Sequence, residues 1–189
     1  MKHKGTKRIE TPRLILRRFE AGDERAMFDN WASDPEVTKF LSWPAHGSLE
    51  VSKWVVDDWI SQYGEENYYQ WAIVPKDLGQ PIGSMAGVRL EEVIGVVEIG
   101  YCIGKKWWHQ GYTSEALSAV IKFFFDEVGM NRVEARHDAN NPNSGAVMRK
   151  CGMRFEGVQR KAGRNNQGIC DICVYGILRE DLEKENVTK

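Results

Sequence analysis

The stretch from Gly95 to Val128, G-V-V-E-I-G-Y-C-I-G-K-K-W-W-H-Q-G-Y-T-S-E-A-L-S-A-V-I-K-F-F-F-D-E-V, joins two periodicities through a turn. From Val96 to Ile103 the residues alternate, with Val97, Ile99, Tyr101 and Ile103 on one face and Val96, Glu98, Gly100 and Cys102 on the other, as in a strand. Glu98 is then a lone carboxylate in mid-strand. From Gly111 to Val128 the chain is apolar nearly all round, except for a stripe of Glu115, Ser118, Lys122 and Asp126 at spacings of three and four. This predicts a mostly buried helix with one narrow wet face. Between the two, W-W-H-Q-G-Y-T-S supplies Gly111 for close backbone approach, and Thr113 and Ser114 as capping hydroxyls. Several unpaired N–H groups then point outward from a positive helix end, a setting suited to a phosphate or pyrophosphate. Capping alone would also explain Thr113 and Ser114. The chain has no G-x-x-x-x-G-K-[ST] and no G-x-G-x-x-G opening a βα unit, so neither a nucleotide triphosphatase nor a dinucleotide fold is supported.

Outward from this stretch, Arg13 to Phe19 alternates as a first strand, and Glu20 to Ser33 fits a helix carrying Met27 and Trp31. Pro35 and Pro44 break regularity. A second helix begins at Ser48, with Val51, Trp54, Val55 and Trp59 expected on its buried face. Tyr68 to Pro75 and Pro81 to Leu90 read as strands leading into the Gly95 strand. After the central helix come a strand from Arg132 to His137, the loop D-A-N-N-P-N, and a helix from Ser144 to Cys151 that Gly152 stops. Met153 to Arg160 and Ile169 to Leu178 form an antiparallel pair around G-R-N-N-Q-G. The predicted order is βααβββαβαββ in one domain over residues 8–183, with a disordered end at 1–7 and a tail at 184–189.

The run from Glu98 to Leu117 resembles the acetyl-CoA signature of the GNAT superfamily of N-acetyltransferases, in particular its RimJ/RimL branch of ribosomal-protein N-terminal acetyltransferases. N-P-N-S-G-A-V-M-R-K-C-G-M-R-F, from Asn141 to Phe155, resembles the branch's N-x-x-S followed by K-x-G-F. E-T-P-R-L-I-L-R-R-F, from Glu10 to Phe19, resembles its first strand. Trp108 is usual in the branch, whereas His109 stands where Gly is common, Thr113 where Ala is, and Met153 where Phe is. The resemblance implies an α/β (α+β) fold: a mixed, splayed sheet with helices on both faces, open between the Gly95 and Arg132 strands. It implies that Tyr101, Cys102 and Ile103 offer backbone groups to the pantetheine arm of acetyl-CoA. His109, Gln110, Gly111, Tyr112, Thr113 and Ser114 would hold the pyrophosphate, and Asn141 would contact the cofactor.

Amide formation from a thioester needs a neutral amine, a polarised carbonyl and a proton for the leaving thiolate. Glu98 is the candidate base, against the plainer reading of a salt-bridged strand carboxylate. The N–H of Tyr101 or Cys102 could polarise the acetyl oxygen, and Ser144 could protonate the thiolate or simply cap its helix, with Tyr101 and Tyr175 weaker candidates for that proton. Lys105, Lys106, Arg149 and Lys150 could reach coenzyme A phosphates. Trp43, Trp54, Trp59, Tyr68, Tyr69 and Trp71 lie in the region that forms the family's acceptor groove, and read either as core or as pocket. The expected acceptor is a protein N-terminal α-amine. Small amines (a polyamine, amino acid or antibiotic) and a non-catalytic acyl-CoA sensor are the alternatives.

At 189 residues and 42% hydrophobic content the chain can build one sizeable core. Its 26 Lys and Arg against 27 Asp and Glu leave no global basic field, so nucleic acid is not an expected partner. There is no apolar run long enough for a membrane span, and M-K-H-K-G-T-K-R lacks the apolar segment of a signal peptide, so a cytoplasmic protein without a membrane partner is expected. Cys170 and Cys173 form a C-x-x-C with no second pair at zinc spacing, so no metal is expected, and Cys102 and Cys151 read as packing residues. Strand edges and surface aromatics make a homodimer an open expectation.

Overall fold

A computed structural model describes residues 1–182; the tail expected at 184–189 lies outside them. Gln70–Pro75 (β3) is buried along its whole length because helices cover both its sides: Trp71 and Ile73 enter one core cluster, Ala72 and Val74 the other. Around it the described residues form one sheet in the order β1-β2-β3-β4-β5-β6-β8-β7. The remaining strands are β1 (Ile9–Glu10), β2 (Leu14–Arg17), β4 (Gly83–Glu91), β5 (Val96–Ile103), β6 (Arg132–Asp138), β7 (Arg154–Asn165) and β8 (Gly168–Leu178). Every pairing is antiparallel except β5 with β6, which is parallel. The helices are α1 (Asp23–Met27), α2 (Pro35–Thr38), α3 (Leu49–Gln62), α4 (Tyr112–Phe123) and α5 (Pro142–Lys150). The predicted order is present, with the two-residue β1 and the one-turn α2 added.

The larger cluster packs α4 on Val97, Ile99 and Ile103 of β5 and Val133 and Ala135 of β6, with Met148 of α5 joining it. The smaller one packs Met27, Trp31 and Val56 from the helical region before β3 against the opposite side of the sheet. Alternation in β5 puts Val97, Ile99 and Ile103 in the larger core and Cys102, on the opposite face with Glu98, beside the smaller one. After α4 a wider turn, Phe124–Val128, carries the helix on to Gly129, whose φ of 84° ends it.

Two expectations are corrected. Residues 1–7 lie along the body rather than free: Thr6 is 2% exposed and its Oγ1 donates to the Tyr68 carbonyl at 2.9 Å, while Trp71 Nε1 donates to the Lys7 carbonyl at 2.7 Å. A polar segment needs no apolar residues to dock when a buried indole N–H requires an acceptor. On α3 the buried residues are Ser52 and Val56, with Val55, Trp59 and Ile60 packed beside them, whereas Val51 and Trp54 face solvent and Trp54 is 70% exposed. Positions 51, 54, 55 and 59 form one helical stripe, but the helix docks rotated about its axis, so that Ser52 and Val56 lie innermost and Val51 and Trp54 fall at the wet edge. Of the other aromatics, Tyr69 and Trp71 are core, Trp59 lies 4.8 Å from the Phe19 ring, and Trp43 is half-buried against His46.

Candidate active site

β5 and β6 are paired only from Val96↔Arg132 to Ile99↔Ala135. Beyond that point β5 stays with β4 as far as Ile103↔Gly83, and β6 stays with β8 as far as Asp138↔Ile172, so a gap opens between the two parallel strands. The Gly104 N–H donates to the Ile82 carbonyl at 2.9 Å. Alternation along the antiparallel ladder then turns the backbone groups of Cys102 and Gly100 towards β4, and those of Tyr101 and Ile103 into the gap. The Ile103 carbonyl is taken by Trp108 Nε1 at 2.9 Å. Tyr101 is therefore the residue with both backbone groups facing the gap. Cys102 points its thiol at Ser84 Oγ, 3.4 Å away, and packs with the smaller core.

Across the gap lies the first turn of α5. The Tyr101 hydroxyl donates to the Ser144 carbonyl at 3.0 Å and lies 3.0 Å from Ser144 Oγ. Burial pushes the Tyr101 phenol well above its ordinary value, so it remains a proton-bearing group. Ser144 is not the cap of its helix, which removes the plainer of its two readings. Pro142, with no N–H and a preset φ, takes the first helical position and makes Asn141 the N-cap, whose side chain accepts no capping hydrogen bond. The Ser144 hydroxyl is instead paired with Tyr101.

The start of α4 departs from its sequence reading in the same way. Gly111, at φ 81°, is the N-cap, and Thr113 and Ser114 fall inside the helix, where neither hydroxyl caps it. Ser114 Oγ donates back to the Gly111 carbonyl at 3.0 Å. The backbone N–H groups of His109, Gln110, Gly111, Tyr112, Thr113 and Ser114 consequently find no acceptor among the described residues. His109 has φ 59°, a left-handed conformation that side chains seldom adopt, which accounts for the glycine common at this position in the family resemblance.

A Cβ on Gly111 would stand 3.4 Å from Arg13 Nη2 and 3.6 Å from Lys150 Nζ, so two cations border the turn. Of the other basic candidates, Lys105 pairs with Glu36, Lys106 lies over the Trp107 ring, and Arg149 Nη1 donates to the Tyr175 hydroxyl at 2.7 Å. α5 connects both halves of the site. Ser144 near its start faces Tyr101, Lys150 at its end reaches Gly111, and the six-residue step between them spans about 9 Å of helix axis.

Glu98 projects from the other face of β5. Its Oε2 lies 3.3 Å from Arg89 Nε and 3.3 Å from Arg136 Nε, and its neighbour in the parallel register, Glu134, shares both arginines. A register shift between Gly87 and Arg89 sits opposite Glu98 and Ile99. Such a bulge re-aims local side chains, here bringing Arg89 onto the carboxylate pair. The structure thus unites His109–Ser114 with Lys150, and Tyr101 with Ser144, while Glu98 and Cys102 lie on the opposite side of the strand from the Tyr101 ring. Asn141 is half-exposed, with its side-chain amide unused in capping.

Two contributors escaped the sequence reading. Glu115, placed on the wet stripe of α4, is 18% exposed at its side chain and pairs with Arg13, which strand alternation had marked only as the start of β2. The pairing joins residues 102 apart, beyond any local pattern. Burial alone would raise the Glu115 carboxyl, but hydrogen bonds from Thr11 and Arg13 outweigh it and hold it low. Glu134 and Asp138 are likewise lowered against burial, Glu134 by Arg132 and Asp138 chiefly by the Asn140 N–H and Asn165. Groups depressed in the folded state stabilise it above their unfolded values, and that stability is lost as pH falls through the folded ones. Thermal melts should therefore change little from pH 7 to pH 5 and fall steeply below about pH 4. A melting temperature unchanged at pH 3 would contradict these pairings.

Among the described residues no group of His, Cys, Asp or Glu side chains is arranged to hold a metal ion, and no helix is long and apolar enough to cross a membrane. Six unpartnered amides, a helix start without a side chain and two adjacent cations suit the pyrophosphate of coenzyme A. A family model described as an acetyltransferase (GNAT) domain matches residues 13–154. The uncharacterized N-acetyltransferase YoaA of Bacillus subtilis (strain 168) is 30% identical over 171 residues, covering 90% of this chain and 96% of YoaA. YdaF of the same organism, provisionally named a ribosomal N-acetyltransferase, is 28% identical over 131 residues, 69% of this chain and 70% of YdaF. The crystal structure of a GNAT-family acetyltransferase from Bacillus anthracis superposes with a TM-score of 0.81 at 27% identity, over 92% of this chain and 99% of that one. The chain belongs to the GNAT family and is an acetyl-CoA-dependent N-acetyltransferase.

Proposed function

We propose that this enzyme transfers the acetyl group directly, in a ternary complex, to a protein N-terminal α-amine. The observation that carries the reading is the pair of features joined by α5: the unpartnered amides of His109–Ser114 at one end and the Tyr101–Ser144 hydroxyl pair at the other. In this reading those amides and Lys150 hold the pyrophosphate, and the free backbone groups of Tyr101 and the Ile103 N–H align the pantetheine arm. The uncommitted Asn141 amide adds a contact. Acetyl-CoA supplies the thioester. The Tyr101 N–H polarises the carbonyl, Glu98 accepts the proton of the incoming ammonium, directly or through water, and the Ser144 hydroxyl, held beside the Tyr101 hydroxyl, gives its proton to the departing sulfur and takes in its place the second proton that the attacking nitrogen sheds.

Glu98 is the single candidate base, and one carboxylate favours the amine that is easier to deprotonate. An α-amine has a reference pKa of about 7.7–8.0, against about 10.4 for lysine, so lysine costs roughly 3–4 kcal/mol more to deprotonate at neutral pH. The name of YdaF points the same way.

The test is free-thiol release from acetyl-CoA with N-terminal peptides, polyamines, amino acids and aminoglycosides, run in parallel with Glu98→Gln. Turnover is expected with the peptides, and Glu98→Gln should lower kcat by about a hundredfold or more while coenzyme A still binds. Release with small amines only would move the acceptor to that class. Wild-type turnover in the variant would remove Glu98 from proton transfer.

A further inference from the structure

The segment before β2 is fastened to the first turn of α4 through one carboxylate. Glu115 accepts from Thr11 Oγ1 at 2.6 Å and the Arg13 N–H at 2.9 Å on one oxygen, and from Arg13 Nε at 2.6 Å on the other. With Nε held there, the guanidinium lies 4.5 Å from the centre of the Tyr112 ring, and Nη1 donates to the Gln110 carbonyl at 3.0 Å. Three contacts fix the plane of the group. Nη2 is left with no acceptor among the described residues and lies 3.4 Å from where a Cβ on Gly111 would stand, in the turn that carries the unpartnered His109–Ser114 amides.

We infer that Arg13 is a phosphate-binding residue for coenzyme A: one arm of the guanidinium braces the Gln110 carbonyl, and the other donates to the pyrophosphate. The inference rests on the placement of that pyrophosphate at the turn. It also explains how a carboxylate is tolerated at Glu115. An anion beside a bound pyrophosphate would repel it, and the Arg13 ion pair cancels that charge while orienting the donor.

Affinities for coenzyme A and for pantetheine, which carries the thiol arm without phosphates, should be measured by calorimetry on wild type, Arg13→Ala and Arg13→Gln. Arg13→Gln keeps an amide donor for Gln110 without the charge, and serves if the alanine variant folds poorly. Both are expected to weaken coenzyme A about tenfold to a hundredfold and to shift pantetheine by less than about twofold. An equal loss for both ligands would make the effect a general structural one, and wild-type coenzyme A affinity in Arg13→Gln, which keeps a donor for Gln110, would make Arg13 a brace of the turn only; either overturns the inference. Gly111→Val separates this outcome from failure of the underlying placement: if it removes coenzyme A binding while Arg13→Gln does not, the turn holds the phosphates without Arg13.

Discussion

Gly111→Val is expected to abolish measurable coenzyme A binding in a protein that still folds. At φ 81° a β-branched residue is strained, at a cost of about 1–3 kcal/mol against the 5–15 kcal/mol typical of a domain. The atoms nearest the new Cβ are Arg13 Nη2 at 3.4 Å and Lys150 Nζ at 3.6 Å, ordinary contact distances to side-chain ends rather than to backbone. The folded state is therefore weakened but kept. Binding has no such escape, because the valine methyl groups would occupy the surface where the amides open and displace both flanking cations. Losing two or three charge-assisted hydrogen bonds at roughly 1.5–3 kcal/mol each corresponds to well over a hundredfold in affinity. Calorimetry checks this, with a thermal melt as the control for folding. An unchanged dissociation constant would place the pyrophosphate elsewhere.

Trp71→Ala should cause the largest loss of stability, about 3–5 kcal/mol. The indole is fully buried, stacks on Tyr69 at 5.8 Å, and meets Phe123 and Phe124 edge-on at 5.6 and 6.0 Å. Its Nε1 also holds the Lys7 carbonyl, so truncation loosens the N-terminal segment along with the core. For a domain of this size the loss corresponds to roughly 10 °C in melting temperature. Trp54→Ala, at a 70% exposed position, should change stability by less than about 0.5 kcal/mol. Chemical denaturation of both variants checks the pair. If Trp71→Ala kept wild-type stability and instead raised the KM of the acceptor, the residue would be a pocket wall rather than core.

The order of elements and the unpaired amides before α4 were legible in the chain because they follow from local rules, whereas the splay beside β5 was expected only through the family resemblance. Period-two alternation marks β5 and near-continuous apolarity marks α4, while glycine before a helix frees its first N–H groups whatever the rest of the fold does. The hydroxyls were legible as residue types but not as roles. Thr113, Ser114 and Ser144 each stand two or three residues past the N-cap of a helix rather than at its edge, because Gly111 and Asn141 take the capping positions. A shift of that size lies within the blur of any boundary read from sequence.

What the sequence determined by itself was the order of elements, the site of the turn and the chemistry its glycine permits, since these depend on neighbours within a few residues. Only the tertiary structure decided which charges meet. Glu115 with Arg13, Glu98 with Arg89 and Arg136, and Tyr101 with Ser144 join segments far apart in the chain. Such pairs depend on strand register and on the angle at which a helix docks, and neither quantity is written in a local pattern.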